Sequence, residues 1–218
     1  VLRYIAEFPD DKRTILYFDT EQSPHHCQRV MKRALRLAGL PVNRHPENLI
    51  FAQLRALTPD LRLELIDNAI ANTPNVGLVI IDGVRDLMFD INNAIESSRL
   101  IGKLMEWTDK FQIHIHTVLH LNKSDDNVRG HVGTELNNKA ETVLQVCKST
   151  TDNEVTEVSA SCIRSMDFPP FAFIVNESGL PEIAADYNFA GKSKVQTFSY
   201  SELTPEQHRQ ALEKAFAN

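Results

Sequence analysis

Four places in the sequence set a residue capable of acid, base or cation chemistry directly behind an apolar run. Asp19-Thr20-Glu21-Gln22 follows Thr14 to Phe18, Asp82-Gly83 follows Gly77 to Ile81, His120 follows Ile113 to Leu119, and Arg164 follows Val155 to Ile163. Each run has the length and β-rich composition of a strand. In open parallel sheets ligands bind beyond the carboxyl ends of the strands, so residues at those ends share one rim. Two carboxylates, a histidine and an arginine gathered there suit Mg²⁺-assisted phosphoryl transfer to water. Taken singly, each has a plainer reading. A carboxylate after a strand commonly caps a helix or forms a turn, a lone histidine is a hydrogen-bonded structural group, and an arginine is a surface ion-pair partner.

To bring these residues together the chain must alternate strands with helices, and the apolar pattern does alternate. Thr14 to Phe18 is followed by a helix opening at Ser23-Pro24, whose apolar positions Cys27, Val30, Met31, Ala34, Leu35 and Ala38 keep helical spacing until Gly39 and Pro41. Leu49 to Ala52 reads as a short strand, and Thr58-Pro59-Asp60 starts a second helix bearing Leu61, Leu65, Ile66, Ala69 and Ile70. Gly77 to Ile81 is continuously apolar, as a strand buried on both faces requires, and the pattern predicts a helix over Ala94 to Phe111 after it. From Thr142 the grammar changes. Strands at Thr142 to Lys148, Val155 to Ile163 and Phe171 to Val175, joined by turn-rich stretches, predict antiparallel strands added at one edge of the sheet. Gly179 to Lys194 reads as irregular, and Thr204-Pro205-Glu206-Gln207 opens a final helix.

Composition bounds the function. The chain has 218 residues, 42% of them hydrophobic, which suits a single α/β core. No apolar run approaches the roughly 18 residues of a membrane span. Lys and Arg number 23 against 29 Asp and Glu, a net charge of −6, so any contact with nucleic acid has to be local. Cys27, Cys147 and Cys162 are odd in number and widely spaced, with no signal peptide ahead of them, which predicts a cytoplasmic protein. The chain opens on Val1 inside an apolar pattern, and a segment is expected upstream of it.

The apolar run ending in Asp82 matches a Walker B element, whose aspartate holds the Mg²⁺ of a bound nucleotide. With it, Tyr17-Phe18-Asp19-Thr20-Glu21-Gln22-Ser23, Leu78 to Gly83, His120-Leu121-Asn122-Lys123 and Arg129 to Leu136 stand in the order found in RecA-like ATPases. Over roughly Thr14 to Val175 the chain resembles most the branch with DnaB-type and plasmid RepA-type hexameric helicases and related ATPases of mobile genetic elements. The resemblance implies an α/β fold, a RecA-like and mainly parallel twisted sheet flanked by helices, with antiparallel edge strands toward the C-terminus. It implies ATP and Mg²⁺ as cofactors, with Asp82 on the metal and Thr20 beside the cofactor. Glu21 would polarise the attacking water, and His120 would sense the γ-phosphate. The loop Leu121 to Val132 would face single-stranded DNA in a ring of subunits, with Lys123 and Arg129 as its cations. Arg164 would be the arginine finger, although Cys162 stands where DnaB-like relatives often place a second cation.

The phosphate loop is the largest departure. No segment satisfies G-x-x-x-x-G-K-[ST]; Gly191-Lys192-Ser193 comes nearest, but Asp186 occupies the position of the first glycine and the segment follows the other motifs instead of preceding them. The loop is therefore expected upstream of Val1, with Val1 to Phe8 as the tail of its helix. On this reading residues 1–200 are an ATPase core lacking its N-terminal phosphate loop, and residues 201–218 are a C-terminal helix. Two other readings compete. His114, His116 and His120 at even spacing, with His25-His26-Cys27, could serve a metal-dependent hydrolase. A RecA-like module without catalysis could act in assembly or DNA binding, though such a scaffold needs neither Glu21 nor Asp82.

Overall fold

The computed structural model describes residues 8–120, 130–164, 167–189 and 209. The apolar runs before Asp19, Asp82 and His120 are strands, as is the run at Leu49: β1 (Thr14–Asp19), β2 (Leu49–Gln53), β3 (Val76–Asp82) and β4 (His114–Val118). These four pair in the order β2-β1-β3-β4, all parallel. The pleat sends alternate side chains to opposite faces. Leu16, Phe18, Val79 and Ile81 are fully buried on one face. They form a single cluster with Ile66 and Ile70 of helix α2 (Pro59–Asn72) and with Leu100, Ile101, Leu104 and Trp107 of helix α3 (Ala94–Phe111).

Helix boundaries follow local chemistry. Helix α1 (Pro24–Leu37) has Ser23 at its N-cap, accepting from the His26 amide, and Pro24 in the first turn; Gly39 takes a left-handed φ of 69° just past its end. Thr58 occupies the N-cap of α2 without a side-chain cap bond. At α3 the Asn93 side chain accepts from the amides of Ile95 and Glu96. The Glu96 carboxylate in turn accepts from the Phe89 amide at 2.9 Å, which ties the preceding loop to the helix.

The strands after Thr142 form a sheet of their own. β5 (Thr142–Lys148), β6 (Val155–Ile163), β7 (Phe171–Val175) and β8 (Pro181–Ile183) pair antiparallel in chain order, and β4 has β3 as its only strand partner among the described residues. β8 lies inside the stretch expected to be irregular. Helix α4 (Gly130–Lys139) is a further correction, because the DNA-facing loop expected over Leu121 to Val132 ends in it. Val132 is fully buried and joins the core cluster, with Leu136 packed against it one turn later. Residues 121–129, Gly191 to Ser193 and all but one residue of the expected C-terminal helix lie outside the described residues, as do residues 1–7. No described helix is long and apolar enough to cross a membrane.

Candidate functional site

Strand register brings the two strand-end carboxylates side by side, since Asp19 of β1 is the direct neighbour of Asp82 of β3. Beyond them the chain turns sharply. The Asp19 Oδ1 accepts from the amides of Glu21 at 3.0 Å and Gln22 at 2.7 Å, the turn expected of an aspartate behind a strand. This fixes the backbone carrying Glu21. Asp19 itself is wholly buried, and its Oδ2 has no hydrogen-bond partner among the described residues.

Thr20 closes the rim from below. Its amide donates to the Asp82 carbonyl at 3.0 Å. Its hydroxyl lies 2.9 Å from the Asp82 and Gly83 carbonyls and 3.1 Å from the Asp86 carboxylate, and it is 1% exposed. The hydroxyl is thus used to join the β1 and β3 turns and does not face solvent. Gly83 makes this approach possible: its φ is 96°, and a Cβ there would sit 2.2 Å from the Thr20 Oγ1. Leu54, after β2, donates its amide to the Asp19 carbonyl. Arg62 of α2 then binds the carbonyls of Leu54, Arg55 and Asp86, which locks the loops after β2 and β3 to one guanidinium.

Glu21 and His120 meet at this rim, with the His120 Nε2 3.2 Å from the Glu21 Oε2. The histidine side chain is 70% exposed and the glutamate 28%, so Glu21 is half-sheltered while its partner stands in solvent. Asp82 is held differently. The Tyr17 hydroxyl donates to its Oδ2 at 2.8 Å, and the Tyr17 ring stacks on Phe51 with centroids 4.5 Å apart. Burial, then the Asp82 carboxylate, push the Tyr17 phenol far above its ordinary value, so it remains a donor. Cys27 of α1 lies behind the same turn; burial and the Asp19 carboxylate push its thiol up to about 11.

Glu21, Asp82, Thr20 and His120 are therefore brought together. Arg164 is not among them. It follows β6 in the second sheet, where its backbone amide donates to the Glu141 carbonyl and its guanidinium to the Asn138 carbonyl at 3.0 Å, near the end of α4. Lys123 and Arg129 lie outside the described residues. Sequence reasoning missed Tyr17 and Arg62. Tyr17 could have been found, since it stands an even number of residues before Asp19 and so shares its face.

The donor set fits Mg²⁺ carried on phosphates. Such ions commonly use one or two carboxylates plus phosphate oxygens instead of a protein cage. Among the described residues no group of three or more ligating side chains exists, and no described donor occupies the Asp82 Oδ1. The same observation leaves the histidine-based metal site without a third ligand. His114 and His116 share one face of β4, both exposed. The phosphate cradle has no counterpart in the 218 residues. No curated protein matches the chain. The family model described as AAA domain matches residues 4–126, a span of 123 residues that exceeds half the chain and holds Glu21, Asp82 and His120, and the chain belongs to that family of AAA-type, P-loop ATPase-like domains.

Proposed function

We propose that the protein is an ATP-hydrolysing motor or assembly ATPase acting on DNA, in a replication, mobilisation or helicase-like role. The observation that carries this reading is the rim itself, where a half-sheltered Glu21 stands beside His120 and is backed by in-register Asp19 and Asp82. Asp82 would hold Mg²⁺ through the oxygen that Tyr17 leaves open, and bound Mg²⁺ would draw charge from the phosphoryl oxygens. Glu21 orients the attacking water and takes its proton. Thr20 contributes by fixing the two turns that carry Glu21 and Asp82. His120 senses the γ-phosphate through the position it shares with Glu21, and passes its loss to the residues that follow it.

The lysine and backbone cradle for the phosphates come, on this proposal, from residues upstream of Val1. Arg164 reaches the neighbouring subunit's site in a ring. Its guanidinium bond to the Asn138 carbonyl is exposed and is worth only about 0.5–1.5 kcal/mol. Lys123 and Arg129 contact the backbone of single-stranded DNA, giving binding that weakens with salt.

The test is phosphate release from ATP by the protein expressed with its upstream residues. Mg²⁺-dependent release that Asp82→Asn removes supports the reading; no release under any condition overturns it. For the DNA role, Lys123→Ala combined with Arg129→Ala should weaken single-strand binding and flatten its salt dependence. Unchanged binding and slope would remove DNA from the proposal and leave the ATPase.

A further inference from the structure

We propose that Tyr17 is a positioning residue that holds Asp82 as a one-oxygen ligand and thereby tunes the site to Mg²⁺ over Ca²⁺. The inference rests on the reading of Asp82 as the metal ligand. Tyr17 is the register partner of Ile80 and of Phe51, so it sits one pleat behind Asp82 on the same face of the sheet. Two contacts restrain it. Its ring lies 9° from parallel to the Phe51 ring at 4.5 Å, and its hydroxyl ends 2.8 Å from the Asp82 Oδ2. The hydroxyl therefore occupies one carboxylate oxygen and restrains the rotation of the group, while no described donor occupies Oδ1. Mg²⁺ demands near-octahedral geometry and takes carboxylates through one oxygen, whereas Ca²⁺ accepts both oxygens in a larger, looser shell. Capping Oδ2 favours the first ion and denies the second its bidentate contact.

The test is calorimetric titration of Mg²⁺ and of Ca²⁺ into the protein expressed with its upstream residues and bound to a non-hydrolysable ATP analogue. Tyr17→Phe keeps the ring on Phe51 and removes only the hydroxyl. It should weaken Mg²⁺ about tenfold, the size usual for an outer-shell partner, while Ca²⁺, given back the second oxygen, binds as tightly as before or more tightly. Asp82→Asn, run alongside, should lose most of the Mg²⁺ affinity. If Asp82→Asn binds Mg²⁺ as the wild type does, the ATPase reading of Asp82 fails and this inference goes with it. If Asp82→Asn fails to bind and Tyr17→Phe matches wild type for both ions, the inference alone is overturned. Equal weakening of both ions by Tyr17→Phe also overturns it, because a general loosening of the rim would do that. Should Tyr17→Phe not fold, Phe51→Leu keeps the hydroxyl but frees the ring; it should shift the Mg²⁺ to Ca²⁺ preference in the same direction, and an unchanged preference overturns the proposal.

Discussion

Replacing Gly83 with Ala tests how the rim is built, because two separable costs meet at that position. Gly83 has a φ of 96°, and for a residue with a Cβ the left-handed region costs about 1–2 kcal/mol. The added methyl would also stand 2.2 Å from the Thr20 Oγ1 and 2.9 Å from the Glu21 Cγ. Thr20 cannot swing aside without leaving the Asp82 and Gly83 carbonyls, so the crowding should cost a further 1–3 kcal/mol or so. The sum, about 2–5 kcal/mol, is a large part of the roughly 5–15 kcal/mol that keeps a domain folded. Gly39 supplies the control: its φ is 69° and nothing lies within 4 Å of its Cβ position, so Gly39→Ala carries the strain alone. Both variants gain the same small benefit from a stiffer unfolded chain, which cancels in the difference. Urea unfolding should therefore place Gly83→Ala about 1–3 kcal/mol below Gly39→Ala. Placing Gly83→Ala in a Thr20→Ala background, where the nearest atom is gone, should recover part of that gap. Equal losses for the two glycines, or strict additivity with Thr20→Ala, would refute the described packing of the turn.

Two predictions concern pH. Cys27 has its folded value raised to about 11, so its contribution to stability is complete below the unfolded thiol value near 8.5 and is lost as pH rises from there toward about 11. Urea midpoints that fall across this window in the wild type but less in Cys27→Ser would bear this out, and parallel curves would contradict it. Asp67 behaves oppositely. The Trp107 indole donates to it at 2.6 Å and Lys103 pairs with it at 2.9 Å, in that order of effect, and hold its carboxyl below the ordinary value. Its contribution is present above the unfolded value near 3.9 and is lost as pH falls through the folded one. The emission of Trp107, the single tryptophan, should shift over that acid range, and a flat titration would count against the contact.

What could be read in the sequence was what depends on local pattern. The run Gly-Leu-Val-Ile-Ile ending in Asp82 announced a buried strand, and Ser23-Pro24 and Gly39 bracketed α1, because strand alternation and helix caps are written within a few residues. Helix α4 was hidden because Gly130 and Gly133 lower helix propensity, and its formation rests on Val132 and Leu136 packing against the core, a tertiary gain. The separate second sheet was not legible either, since strand patterning states which face is apolar but not which edge is paired. At the site, the carboxylates and His120 could be placed from strand ends. Spacing gives the face that Tyr17 shares with Asp19, but its bond to Asp82 depends on the register of β1 against β3, and the Arg62 clamp on a helix crossing two loops, neither of which is encoded in spacing along the chain.

The central claim, that Glu21 serves as the base for ATP hydrolysis, is tested most directly by comparing wild type with Glu21→Gln in the protein expressed with its upstream residues. Gln keeps the size of the side chain and a hydrogen bond to His120 but cannot accept the water's proton. The account predicts that Mg²⁺-dependent phosphate release falls by about two to four powers of ten, the usual contribution of a general base, while ATP affinity is retained. Turnover by Glu21→Gln at the wild-type rate would contradict it.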